Sequence, residues 1–150
     1  CELASFAGAL GMIGGQVLDT ELELETEAEI LDMYRLKTCA LLKAACRMGC
    51  IAAGADEEKI EAAGLYGESL GLAFQLVDDI LDIVGDEDEI GKPVGSDSKN
   101  DKNTYAAKFG IEKAGRLAQK YTEKAISALD IFADTAFLKE LTEHLLERTS

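Results

Sequence analysis

Apolar residues recur at intervals of three and four along most of the chain and seldom alternate one by one with polar ones, a pattern that predicts helices throughout. A first helix is expected from about Glu2 to Leu18, where Ala4, Ser5, Gly8, Gly11 and Gly15 form a small-residue stripe suited to tight packing. The acidic stretch Glu21 to Glu29 leads into a second helix from about Glu27 to Ala53. The turn Ala53-Gly54-Ala55-Asp56 follows, with Asp56 as N-cap of a long helix that runs to about Val84; Lys59 cannot complete a capping box there. After a polar connection from Gly85 to Asn103, two helices, about Thr104 to Ala133 and Ala136 to Arg148, end the chain. One proline, no tryptophan and abundant alanine, leucine, glutamate and lysine fit an all-α fold.

The run Gln75-Leu76-Val77-Asp78-Asp79-Ile80-Leu81-Asp82 interrupts this core-like pattern with three carboxylates. At 3.6 residues per turn, Gln75, Asp78, Asp79 and Asp82 fall within an arc of roughly 100°. Asp78 and Asp82 are one turn apart, on the order of 6 Å, and repel by roughly 3 kcal/mol at an effective dielectric near 20. A hard divalent cation offsets this well, and Mg2+ favours one or two carboxylates plus substrate phosphates. The run therefore suggests a metal-bridged phosphate site. Gly64, Gly67 and Gly71 project the same way in the preceding turns, with Glu68 between them, and mark either a cavity wall or a close helix crossing.

Composition narrows the field. A chain of 150 residues with 47% hydrophobic and 29% charged residues can build one globular domain with a real core. A net charge of −14 disfavours nucleic-acid and anionic-membrane surfaces, and charged residues and glycines break the apolar stretches before membrane-spanning length. Cys1, Cys39, Cys46 and Cys50 form no Cys-x-x-Cys pair and His144 is remote, so zinc has no obvious ligand set. Cys39, Cys46 and Cys50 follow a helical spacing expected to place them on one apolar face as free thiols, which suits a reducing cytoplasm. The chain opens on Cys1, without methionine or signal peptide, and is expected to be cut from something longer.

Other polar positions leave alternatives open. Gln16 and Asp19 read first as an exposed polar step near a helix end. Lys37, between Leu36 and the run Cys39-Ala40-Leu41-Leu42, either snorkels to solvent or meets a buried anion. The connection from Gly85 to Lys92 is one residue too long for a P-loop, and Pro93 stands where a hydroxyl would meet magnesium. Asp86-Glu87-Asp88-Glu89-Ile90-Gly91 begins like a calcium loop but lacks its later ligands. Lys92, Lys99 and Lys102 are either solvated charges or a basic cover over a phosphate group.

Several stretches together carry a resemblance. They are Gly14-Gly15-Gln16 with Asp19, Tyr34-Arg35-Leu36-Lys37-Thr38, Gly71-Leu72-Ala73-Phe74-Gln75 running into Asp78-Asp79-Ile80-Leu81-Asp82, Gly91-Lys92-Pro93-Val94-Gly95-Ser96-Asp97 and Lys102-Asn103-Thr104-Tyr105. In this order, across essentially the whole chain, they resemble the C-terminal half of a trans-isoprenyl diphosphate synthase, nearest the bacterial farnesyl diphosphate synthases. The resemblance implies that residues 1–150 are the C-terminal portion of a single polyprenyl synthetase domain, half of an all-α bundle whose N-terminal half, with a first aspartate-rich motif, is absent from this chain.

It also implies a chemistry, the Mg2+-dependent head-to-tail condensation of dimethylallyl or geranyl diphosphate, an allylic diphosphate, with isopentenyl diphosphate to give farnesyl diphosphate. By the resemblance, Asp78, Asp79 and Asp82 hold Mg2+ against the allylic diphosphate, with Asp78 the foremost ligand. Lys37, Lys92 and Lys102 contact that diphosphate, while Thr38 and Gln75 line the cavity near the reacting carbons. Lys37, Thr38, Gln75 and Asp78 are thus the expected catalytic residues. Cys39 departs from the family's usual glycine and Ala106 from a common proline, neither at the proposed chemistry. A cytoplasmic homodimer is implied, and little catalysis is expected without the missing half. Product length is set upstream of the first motif, so geranylgeranyl diphosphate synthesis stays open. The retained lysines and aspartates argue against a non-catalytic helical subunit that binds a full-length synthase.

Overall fold

The computed structural model describes residues 2–84 and 104–147, and among them every regular element is a helix. The elements are α1 (Glu2–Ala7), α2 (Met12–Glu21), α3 (Glu27–Tyr34), a π turn (Arg35–Cys39), α4 (Ala40–Ala52), α5 (Glu57–Val84), α6 (Tyr105–Phe109), α7 (Ile111–Ala128) and α8 (Ala136–Glu147). Lys92, Lys99, Lys102 and the connection from Gly85 to Asn103 lie outside the described residues, as does Cys1.

The expected first helix is two helices. Its glycines, poor helix formers, allow a turn closed by the Gly11 N–H donating to Gly8 O at 3.0 Å. A Cβ on Gly11 would lie 1.9 Å from the Phe6 carbonyl oxygen, so no other residue fits this corner. Of the small-residue stripe only Gly11 and Gly15 are buried; Ala4 and Ser5 are exposed. The second helix runs without a break from α3 through the π turn into α4. A reciprocal cap starts it, with the Thr26 hydroxyl accepting from Glu29 N at 3.2 Å and Glu29 Oε2 accepting from Thr26 N at 2.8 Å. Asp56 caps α5 as expected, accepting from Lys59 N at 2.9 Å. The expected helix from Thr104 breaks at Gly110, whose φ of +90° ends α6 and admits the separate helix α7, itself ending at Ala128.

Helix α5 is the axis of the molecule. One side meets α4 and another meets α7, whose Ala114, Ala118, Thr122 and Ala125 form a narrow strip that brings the two helices close. Ile30, Met33, Tyr34, Leu72, Leu76 and Tyr105 fill the larger core, and Tyr66, Leu70, Ala125 and Leu129 a smaller one nearer α8. The glycines on α5 resolve in favour of close crossing. A Cβ on Gly67 would sit 2.8 Å from the Leu42 carbonyl oxygen, and one on Gly71 would sit 2.8 Å from Cys39 Sγ. Gly64 lies over the aliphatic stems of Arg47 and Lys43. Burial pushes the Cys39 thiol up to about 12, so it stays protonated at neutral pH. Cys46 and Cys50 are only half-buried, at the edge of the expected apolar face, and all three thiols are free.

Gly67→Ala is expected to lower the unfolding free energy by about 1–3 kcal/mol, because backbone rather than a flexible side-chain tip opposes the new methyl. The signature is an earlier urea midpoint at unchanged slope. Gly49→Ala on α4, where a Cβ meets nothing within 4 Å, is expected to leave stability level or raise it by up to about 1 kcal/mol. Ser69 is buried on α5 and its hydroxyl has no partner, so Ser69→Ala is expected to be neutral or stabilising in the same assay.

Candidate functional site

The π turn carries Lys37 and Thr38, and α2 holds it in place. A Cβ on Gly15 would lie 2.2 Å from the Lys37 backbone nitrogen, so only glycine lets α2 approach this closely. One turn further along α2, Asp19 Oδ2 accepts from Lys37 Nζ at 2.6 Å. Lys37 thus meets an anion instead of only snorkelling. Asp19 is half-buried in that contact, while Gln16 is exposed as expected. Lys37 and Thr38 share a cleft of about 470 Å³ with Met12, Ile13, Gln16 and Val17. Thr38 also borders a second, apolar cleft of about 380 Å³ lined by Leu42, Leu70, Phe74, Leu141 and Leu145. It stands where two apolar spaces meet.

Across from the π turn, α5 presents the aspartate run, and the arc of roughly 100° predicted for it straddles the core boundary. Asp78, at one edge, is exposed; Asp82 and Gln75, near the middle, are half-buried; Asp79, at the other edge, is only 3% exposed. Tyr34 Oη donates to Asp79 Oδ2, the Tyr105 backbone N–H donates to the same oxygen at 3.0 Å, and Gln75 Nε2 donates to Oδ1 at 3.2 Å. Burial pushes the Asp79 carboxyl up to about 6, against the pull of these hydrogen bonds. The same burial, next to Asp79, holds the Tyr34 phenol far above its ordinary range. Asp79 thus sits in a different setting from Asp78 and Asp82, the other two expected metal ligands.

Gln75 links the two halves of the site, because its Oε1 accepts from Thr38 Oγ1 at 2.9 Å. Four expected residues, Thr38, Gln75, Asp79 and Lys37, therefore converge through contacts or a shared cleft, and Asp78 and Asp82 lie on the same helix as Gln75 and Asp79. Tyr34, Tyr105, Glu27 and Asp19 join the network without having been singled out for these contacts. Tyr105 Oη donates to Glu27 Oε2 at 2.7 Å, and Lys113 pairs with the same carboxylate. The Lys113 hydrogen bond, with help from Tyr105, holds Glu27 below the usual carboxylate range. Near the glycine face, Glu68 accepts from Lys43 at 2.8 Å and lies 3.6 Å from Arg35. None of these partners has a periodic signal of its own; each lies on an element distant in sequence.

Among the described residues, no group of three carboxylate, thiolate or imidazole side chains converges to hold a metal ion. The donors that fit are Asp78 and Asp82, hard oxygen ligands one turn apart at the open side of α5. Such a pair suits a divalent cation that takes its other ligands from water and phosphate. No helix among the described residues is long and apolar enough to cross a membrane.

Comparison with known proteins gives a consistent set of likenesses. Residues 6–144 match the polyprenyl synthetase family. The chain is 40% identical to farnesyl diphosphate synthase of Escherichia coli strain K12, over 98% of this chain and 52% of that protein. It is 37% identical to geranylgeranyl diphosphate synthase of Cyanophora paradoxa, over 90% of this chain and 46% of that one. Among solved structures it resembles a Helicobacter pylori geranyltransferase complexed with magnesium and isoprenyl diphosphate, with a TM-score of 0.76 and 32% identity over 99% of this chain and 49% of the other. The chain spans about half the length of the curated relatives it matches.

Tyr34→Phe is expected to destabilise the fold by about 1–3 kcal/mol, since it removes a donor from a buried carboxylate. The same change on an Asp79→Asn background should cost less, leaving a coupling of about 1 kcal/mol or more in a double-mutant cycle measured by denaturation.

Proposed function

The chain belongs to the polyprenyl synthetase family, and from that membership we propose that it supplies the second aspartate-rich motif of a prenyltransferase that joins an allylic diphosphate to isopentenyl diphosphate, head to tail. The observation that carries the reading is that Thr38, which lines two apolar clefts and shares one with Lys37, is hydrogen-bonded through Gln75 to the aspartate run at Asp79. That arrangement suits a substrate with a polyanionic head and a hydrocarbon tail. The likeness to farnesyl diphosphate synthases supports a farnesyl product, and the likeness to a geranylgeranyl diphosphate synthase supports the longer product as the second reading. The setting we propose is a cytoplasmic homodimer, with residues 1–150 forming the C-terminal portion of a single domain.

In this mechanism Asp78 and Asp82 hold a divalent cation, Mg2+ in our reading, as support from the magnesium-bound relative suggests. When bound, the metal neutralises charge that builds on the departing diphosphate. Lys37 serves the same leaving group from the π turn, swapping Asp19 for phosphate oxygens; Lys92 and Lys102, outside the described residues, are proposed to add to it. The bond from the allylic carbon to the diphosphate oxygen breaks, placing positive charge on carbon, and the isopentenyl double bond attacks that carbon. Loss of a proton from the resulting cation restores a double bond. Thr38 and Gln75 supply oxygen dipoles beside the cation, while the apolar walls exclude the water that would otherwise trap it.

The test is a comparison of this chain alone with the chain joined to the first half of its Escherichia coli relative, each given dimethylallyl or geranyl diphosphate, isopentenyl diphosphate and Mg2+. The joined protein is expected to form a prenyl diphosphate product and the chain alone very little. Asp78→Asn in the joined protein should lower kcat on the order of 10²–10³-fold and raise the Mg2+ needed for half-activation. A joined protein that folds yet forms no product would sink the reading.

A further inference from the structure

Around Asp79 the direction of every hydrogen bond is fixed by the groups that make it. The backbone N–H groups of Tyr105 and Ala106, both bonded to the Asp79 carboxylate, can only donate, and that of Tyr105 lies 2.9 Å from Tyr34 Oη and 3.0 Å from Asp79 Oδ2. With that N–H aimed at its oxygen, Tyr34 turns its own hydrogen to Asp79 Oδ2. Asp79 Oδ1 accepts the amide NH2 of Gln75 at 3.2 Å, which leaves the amide oxygen for the opposite side. There Gln75 Oε1 accepts the Thr38 hydroxyl hydrogen at 2.9 Å. The one hydrogen of that hydroxyl is therefore directed inward, and its lone pairs remain for the clefts that Thr38 lines. Reversing the Gln75 amide would set its oxygen against the carboxylate and turn the Thr38 hydrogen outward.

We propose that Asp79 is a positioning residue and not a metal ligand: through Gln75 it orients Thr38 so that oxygen lone pairs, and no O–H, face the reacting carbon. The prenyl-transfer reading of the preceding section identifies that carbon as the allylic cation, and the proposal rests on it. A fixed acceptor stabilises positive charge without reorganising as the charge develops, and it offers no proton to the isopentenyl double bond.

The relay can be reversed and restored by isosteric changes in the joined protein. In Asp79→Asn the new carbonyl stays with the donors Tyr34 and Tyr105, so the new NH2 meets Gln75, the Gln75 amide turns over, and the Thr38 hydrogen is released to the cleft. Adding Gln75→Glu puts an acceptor-only group between the new NH2 and Thr38, which returns the hydrogen to its inward direction. Two readouts apply. One is the binding of a prenyl diphosphate analogue with a protonated amine at the cationic carbon, relative to its uncharged carbon isostere. The other is kcat together with the Mg2+ required for half-activation.

Asp79→Asn is expected to cut the preference for the charged analogue about tenfold or more and kcat by a similar factor, with the Mg2+ requirement moved less than about twofold. The double variant Gln75→Glu/Asp79→Asn is expected to regain the preference to within about threefold of the parent. A Mg2+ requirement raised about tenfold or more in Asp79→Asn, the mark of a lost ligand, would overturn the proposal, as would a double variant no better than the single one. If Asp79→Asn does not fold, Gln75→Met cuts the relay while leaving the Tyr34 and Tyr105 bonds to Asp79 in place; an unchanged preference there also overturns it. A parent protein that forms no prenyl product defeats the function reading separately, because the analogue preference is measured by binding alone.

Discussion

A carboxylate inside an apolar helix bundle carries a solvation penalty that only close donors can offset, and in this molecule Asp79 is that carboxylate. Its donors come from three places in the sequence: Tyr34 at the end of α3, Gln75 one turn earlier on α5, and the first backbone N–H groups of α6, at Tyr105 and Ala106. If any of the three is out of place, the charge is left short of partners, so the penalty becomes a constraint on how α3, α5 and α6 assemble. Tyr105 extends the constraint through its phenol to Glu27 at the start of α3, and from there to Lys113 on α7. A group that destabilises the fold in isolation thus specifies where four helices stand relative to one another, the use for which buried polar networks are best suited.

Close backbone approach is the complementary constraint. Gly67 lets α4 lie against α5, Gly71 lets the π turn lie against α5, and Gly15 lets α2 lie against the π turn; at all three positions a side chain would collide with a neighbouring segment. The consequence for the site is distance. Thr38 reaches Gln75 directly because the segments carrying them are separated by little more than backbone, and Lys37 reaches Asp19 for the same reason. A π turn widens a helix locally, and here it places two consecutive polar residues on the same cleft while the flanking helices stay packed.

Periodicity was enough to read the helices, their order and the identity of the long central one, because those features are local. The ends and breaks were read less well. Gly8 to Gly11 and Gly110 sit inside runs that otherwise continue a helical pattern, and whether a glycine bends the chain or packs against a neighbour depends on what stands opposite. The Thr26 to Glu29 box shows that a cap can be local and still pass unnoticed inside an acidic stretch. The aspartate run was legible as chemistry, since carboxylates among leucines and isoleucines call for compensation. Its division was not: a 100° arc says that Asp78 and Asp79 share a side of the helix, but only the positions of Tyr34 and Tyr105 say that the core boundary falls between them. Asp19 reads from sequence as an exposed polar step for the same reason, its partner being a lysine eighteen positions away on another element.

Charge supplies the last step. In the proposed function a chain with a net charge of −14 has to hold a diphosphate against its own long-range field, which ionic screening confines to about 8 Å at physiological salt. The described basic residues nearest the site are already engaged, Lys37 by Asp19 and Lys43 by Glu68, so their charge is largely balanced locally before any ligand arrives. In the proposed reaction the decisive positive charge would therefore enter with the substrate, as a divalent cation that Asp78 and Asp82 would hold and that would offset the charge of the diphosphate. Asp78 and Asp82 are suited to that because they attract a cation without enclosing it. Asp79 is turned into the core and bonded through Gln75 to Thr38, so in the proposed scheme it leaves the outer ligands to those two and acts inward. In the proposed reaction one run of aspartates thus serves two ends of the same substrate: the face toward solvent is assigned to the leaving group, and the face toward the core to shaping the space where the cation forms.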